Sequence, residues 1–196
     1  MPPRYDPTVL TTLRLRDLPD GRWEAMEIPS GPDAWDRMAD SYKEAADRLA
    51  KAAKDSFTYA MYGPPVRFLY RHYIELRLKA LLVAAGELLD APQTIPPEHY
   101  ILSLWKRVRA FLLQISPESD GAWFTRADIV ISDFDSLDPT SFAFRYPVDK
   151  KGNPGRPPDL HIDPKVARQM IGELDILLSG AASQIAEYMG YKNDQY

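Results

Sequence analysis

Apolar residues recur at three- and four-residue spacing through most of this chain, and proline, glycine and aspartate punctuate the breaks. Trp35, Met38, Tyr42, Ala45, Ala46, Leu49 and Ala53 fall on one helical face, so the spacing predicts a helix over about 34 to 60, with Asp33 as its cap. Gly63-Pro64-Pro65 then reads as a break, with the prolines in the first turn of a second helix over 65 to 88. Ile101, Leu102, Leu104, Trp105, Val108, Phe111 and Leu112 mark a third helix, from about 98 until Ser116-Pro117. Asp120 can cap a fourth through Ala122, Ile129, Val130 and Phe134, ending near Asp135. Asp163-Pro164, a cap residue followed by proline at the first helical position, starts a last helix that ends at Gly190.

Before the first helix the pattern changes. "TVLTTLRLRDLPDGRWEAMEIPSGP" alternates apolar and polar residues on both sides of Pro19-Asp20-Gly21, which predicts a short β-hairpin. On this reading all 18 prolines lie outside helix interiors, where each would cost roughly 3 kcal/mol. The expected fold is mainly α: an up-and-down bundle of about five helices at 33–190, preceded by a hairpin extension at 1–32 and followed by a flexible tail at 191–196.

The second predicted helix differs from its neighbours. Arg67, Arg71, Glu75 and Lys79 recur every four residues, so Glu75 can pair with Arg71 behind it and Lys79 ahead. Around this narrow strip the perimeter is apolar, including Leu69, Tyr70, Tyr73, Ile74, Leu76, Leu81 and Val83. Such a helix is either central to the bundle or part of an oligomer interface, and its charges are either packed ion pairs or parts of a site.

Composition narrows the choices. The 196 residues suit a single domain, and 45% hydrophobic with 27% charged residues is ordinary globular usage. A net charge of −4 draws the whole molecule neither to nucleic acid nor to an anionic membrane, so any such partner needs a local patch. The absence of cysteine excludes disulfides, thiol catalysis and thiolate zinc sites. No signal-peptide pattern or long apolar run is present, so no membrane association and a cytoplasmic location are expected.

Candidate chemistry is sparse. His72, His99 and His161 have no metal-ligand spacing, "DFDSLDP" lacks the glycine and distant glutamate of a calcium loop, and no phosphate-loop, dinucleotide or serine-hydrolase motif occurs. No metal or cofactor is expected. "SFAFRYPVDKKGNPGRPPDLHID" is the exception, with Arg145, Lys150, Lys151 and Arg156 close to Phe142, Phe144 and Tyr146. Exposed aromatic rings there could stack on a base while cations meet phosphate. Alternatively the phenylalanines plug the core and Lys150-Lys151-Gly152-Asn153 is a solvated turn.

Three stretches together resemble the HEPN family of small helical domains found in toxin–antitoxin and phage-defence systems. "RHYIELRLKALL" is similar to the family's second helix, with Glu75 and Lys79 at the matching positions. "EHYILSLWKRV", through His99, Leu102 and Leu104, resembles the "GHDLxxL" start of its third helix, and Arg145, Tyr146 and Pro147 match an "xRYP" segment before the last. The resemblance spans roughly residues 34 to 190 and implies a homodimer that binds RNA, nucleotide or a protein partner. The family's ribonucleases carry an arginine followed after four to six residues by histidine; here Arg145 has no histidine in that window. Arg67 does have His72 five residues on, but early in the second helix rather than before the last. The expectation is therefore a catalytically degenerate member. Its ligand-binding candidates are Arg71, Glu75, Lys79, Arg145, Tyr146 and Lys150, and Arg145, His99 and His72 are the catalytic candidates should activity remain. An active ribonuclease with a non-standard acid/base and a plain protein-interaction module are the alternatives.

Overall fold

The structure, a computed structural model, describes residues 29–31, 33–97, 99–118, 121–139, 141, 142, 144–146, 148, 152 and 163–194. These form five helices: α1 (Ala34–Ala52), α2 (Ser56–Leu88), α3 (Ile101–Ile115), α4 (Gly121–Leu137) and α5 (Pro164–Asn193). The described part is mainly helical, with no strand element. The expected hairpin at 1–32 lies outside the described residues except for 29–31, and Lys150, Lys151 and Arg156 also lie outside them.

The first break is not where the prolines suggested. α1 ends at Ala52, and Asp55 starts α2 with a capping box: its carboxylate accepts from Thr58 N at 2.8 Å and its own N–H donates to Thr58 Oγ1 at 3.0 Å. α2 then continues through Pro64 and Pro65. The i→i−4 partners that these prolines cannot serve are the carbonyls of Ala60 and Met61, and both residues are exposed, so water can satisfy them. The premise that all prolines avoid helix interiors fails here for that reason. At the other end the expectation holds, because Asp163 caps α5 by accepting from Lys165 N at 2.8 Å with Pro164 at the helix start. α5 runs past the expected stop at Gly190 to Asn193, and Lys192 Nζ donates to the carbonyls of Glu87 and Leu88 and to Asp90. That ammonium neutralises the carbonyl end of α2.

Side-chain pairs fix the helix directions. Asp36 meets Arg77 and Asp47 meets Tyr70, so α1 and α2 are antiparallel. Tyr73 meets Asp175 and Leu88 meets Lys192, so α2 and α5 run the same way. Trp105 meets Asp128 while Leu102 meets Asp135, and Trp123 and Phe124 line one cavity with Ile176 and Leu177 while Phe134 and Leu137 line another with Val166 and Met170, which makes α4 antiparallel to both α3 and α5. It follows that α3 runs in the same sense as α2, so the α2–α3 connection returns along α2 instead of turning back, a departure from a simple up-and-down order. Gly86 permits the start of that return, since a Cβ on it would stand 2.7 Å from Ala91 O and 2.8 Å from Gln93 Cγ.

α2 occupies the centre. Tyr70, Tyr73, Ile74, Leu78, Leu81 and Leu82 are almost fully buried, and α1, α3 and α5 cover them. α1 contributes mainly alanines, Ala39, Ala46 and Ala50, which let the helices approach closely. Most of the apolar perimeter of α2 is thus buried within the chain, with Leu69 and Val83 half-buried.

Candidate functional site

Arg71 lies at the junction of three chain segments and is fully buried. Its Nε donates to Asp138 O at 2.6 Å, and its Nη2 donates to His99 O at 2.5 Å and Pro139 O at 3.2 Å. Nη1 lies 3.4 Å from Glu75 Oε2. One planar fork therefore holds the α2–α3 connection and the segment after α4 against the middle of α2. Burial lowers the Arg71 pKa from its ordinary value, and the carboxylates of Asp138, Glu75 and Asp135 oppose that shift.

Glu75 continues the cluster one helical turn on. Its Oε1 accepts from Lys79 Nζ at 2.9 Å and meets His99 Nδ1 at 2.8 Å, while the carboxylate itself is buried. Burial pushes its pKa up, but the bonds from His99 and Lys79 and the charge of Lys79 outweigh it and hold the carboxyl below its usual range. His99 differs from the rest, because its side chain is 56% exposed. Its Nδ1 is engaged by a buried carboxylate while much of the ring remains exposed.

The loop after α4 is organised by Asp138, which lies in the "DFDSLDP" stretch that lacks a calcium-loop pattern. Its side chain accepts from Phe142 N at 2.7 Å and from Phe144 N at 3.2 Å, and it is fully buried. Ser141 in this loop has φ of 61°, the left-handed region. The available signal was Asp138-Pro139, a turn-initiating pair whose aspartate commonly takes backbone amides two or more residues on. The loop buries Phe144, half-buries Phe142 and exposes Arg145 and Tyr146. Arg145 Nε donates to Ser141 O at 2.6 Å, and its guanidinium lies 6.0 Å from the Phe68 ring centre and 5.7 Å from that of Tyr146. Phe142 and Tyr146 stack with centroids 4.5 Å apart.

The predicted site residues thus divide. Arg71, Glu75, Lys79 and His99 are directly bonded to one another, but Arg71, Glu75 and Lys79 are buried and spend their polar atoms within the protein. Arg145 joins them through the loop that Arg71 and Asp138 hold; it is an exposed residue, with its guanidinium beside the Tyr146 ring. His72 packs edge-on to Tyr42 and face-to-face with Phe68, and burial lowers its pKa, which favours the neutral ring. Among the described residues no group of His, Asp and Glu is arranged to hold a metal ion.

A second polar cluster lies between α1, α2 and α5. Tyr70 donates to Asp47 at 2.6 Å, Tyr73 donates to Asp175 at 2.6 Å, and Lys43 stands between the two carboxylates at 3.3 and 3.5 Å. Its donors and acceptors belong to side chains on helices, and they fix the register of α1 and α5 on α2.

No described helix is long and apolar enough to cross a membrane. Compared with known proteins, the chain matches no family model, no curated protein and no solved structure.

Proposed function

We propose that this is a HEPN-like, catalytically degenerate protein that binds single-stranded nucleic acid or nucleotide through the face formed by Arg145, Tyr146 and His99, in a defence, stress or toxin–antitoxin setting. The observation that carries the reading is that Arg71, on the α2 strip, bonds directly to His99 in the stretch before α3 and to Asp138, whose carboxylate in turn holds Phe142 and Phe144 in the stretch before α5. Two exposed polar residues result, each anchored at one nitrogen: Arg145 through Ser141 and His99 through Glu75. The fork of Arg145 suits phosphate, and the half-exposed ring of Tyr146 suits a base. Fluorescence anisotropy with a labelled single-stranded RNA tests it. Loss of Tyr146 stacking should cost about 1–3 kcal/mol of binding, and the variant lacking both Arg145 and Tyr146 side chains (both →Ala) should lose more while melting as the parent does. Unchanged affinity in that double variant removes the site.

One observation favours a second reading, residual ribonuclease activity. A half-exposed imidazole backed by a buried carboxylate, His99 on Glu75, has the arrangement of a general base. Incubation of RNA with the protein in EDTA, with His99→Ala alongside, decides between binding alone and cleavage.

A further inference from the structure

We infer that Arg71 is a positioning residue for the His99 and Arg145 face, coupling the two loops that carry those side chains so that neither moves without the other. The use of that coupling rests on the function proposed above; the coupling itself does not. The argument is geometric. Arg77, the other buried arginine of α2, pairs with carboxylates on a helix, those of Asp36 and Asp40. Arg71 instead gives its strongest bonds to backbone carbonyls, of His99 on one side and of Asp138 and Pro139 on the other. A carbonyl cannot swing away as a side chain can, so each bond constrains the path of the main chain.

Both constraints lead directly to an exposed group. On one side His99 is held by its backbone carbonyl to Arg71 and by its ring to Glu75, which Arg71 also touches. On the other side, the residue whose carbonyl takes Arg71 Nε is Asp138, whose carboxylate holds the amides of Phe142 and Phe144 and so the turn that presents Arg145. A further bond, Leu102 N to Asp135 Oδ1 at 3.3 Å, ties the start of α3 to the end of α4 at the same junction. Lysine at position 71 would keep the charge and most of the stem but present a single point donor, unable to span both loops.

The test is site-resolved amide hydrogen exchange on the full chain, with Arg71→Lys and Asp138→Asn compared with the parent. If Arg71 couples the loops, Arg71→Lys accelerates exchange at Phe142 and Phe144 and at Leu102 by similar factors, while α1 amides keep their protection. Asp138→Asn, which keeps the carbonyl that Arg71 holds but weakens the grip on the Phe142 and Phe144 amides, should likewise shift the His99 imidazole resonances and raise exchange at Leu102. A merely structural arginine would lower protection everywhere by one factor, and that result overturns the inference. So do unchanged His99 signals in Asp138→Asn, which alone decides the matter should Arg71→Lys not fold. RNA anisotropy on the same proteins separates the two proposals: parent protein that does not bind, with exchange still coupled, defeats the proposed function and leaves the coupling standing.

Discussion

The two polar clusters of this bundle are built from similar residues and hold different things. Around Lys43, two tyrosine–aspartate pairs join helix to helix, and every group involved belongs to a regular element. Around Arg71 the partners are main-chain carbonyls in two connections, and the network ends at a histidine open to solvent. The first fixes the register of three helices and stops there. The second converts rigidity at the centre of α2 into fixed positions for side chains at the surface, the arrangement a preorganised binding face requires. Burial of charge is therefore uninformative by itself; what the charge is bonded to separates scaffold from site.

The largest expected effect comes from breaking the second cluster at its centre. Arg71→Ala removes the donors of three carbonyls and leaves Glu75 with less compensation, and loss of one member of a buried ion pair costs about 3–5 kcal/mol. Urea titration should show that loss, whereas Arg145→Ala, on the exposed loop, should stay within about 0.5 kcal/mol. Equal losses would erase the distinction between clip and rim.

A smaller effect is expected in the first cluster. Tyr70→Phe deletes a buried hydroxyl bonded to Asp47, a charge-assisted bond of about 1.5–3 kcal/mol, and Lys43 and Arg168 remain to serve that carboxylate. Stability should fall while RNA affinity and the exchange of Phe142 and Phe144 stay as they are. A loss of affinity would mean that the clusters communicate.

The smallest effect is carried by pH. Burial lowers the His72 pKa in the fold, so the unfolded chain takes up the proton first and stability declines as pH falls from about 6.5. Glu75 is also lowered, so its contribution is complete above about 4.5 and is lost as pH falls through its folded value. Urea midpoints measured from pH about 7.5 down to about 3.5 should show a shallow first decline that His72→Phe abolishes, then a second that it leaves intact. A single decline, unmoved by that substitution, would exclude His72 as its origin.

Local chemistry made parts of this fold legible in sequence. The Asp163-Pro164 start of α5, the Ser116-Pro117 stop of α3 and the three- and four-residue apolar spacing act within one or two turns, and they place the helices. The α1–α2 boundary was misread because proline has a cost only where its missing N–H strands a buried carbonyl, and exposure at Ala60 and Met61 is a property of the assembled fold. The true signal, Asp55 with Thr58, is a capping box with threonine in place of the usual glutamate or glutamine. In the candidate site, the four-residue ladder from Arg71 to Lys79 announced its ion pairs. That Arg71 would turn to the carbonyls of His99, Asp138 and Pro139 depends on contacts 28 to 68 residues away, which no local pattern encodes. Asp138 is hard to find for the related reason that an aspartate beside proline reads first as turn chemistry, while its hold on Phe142 and Phe144 depends on the fold.

The proline pair has a mechanical consequence. Where Pro64 and Pro65 interrupt the hydrogen-bond ladder of α2, the opening turns that carry the exposed Phe57 and Met61 are joined to the remainder without the two bonds that prolines cannot donate. Fraying that starts at Asp55 therefore meets two missing hydrogen bonds before it reaches the buried turn that carries Arg71.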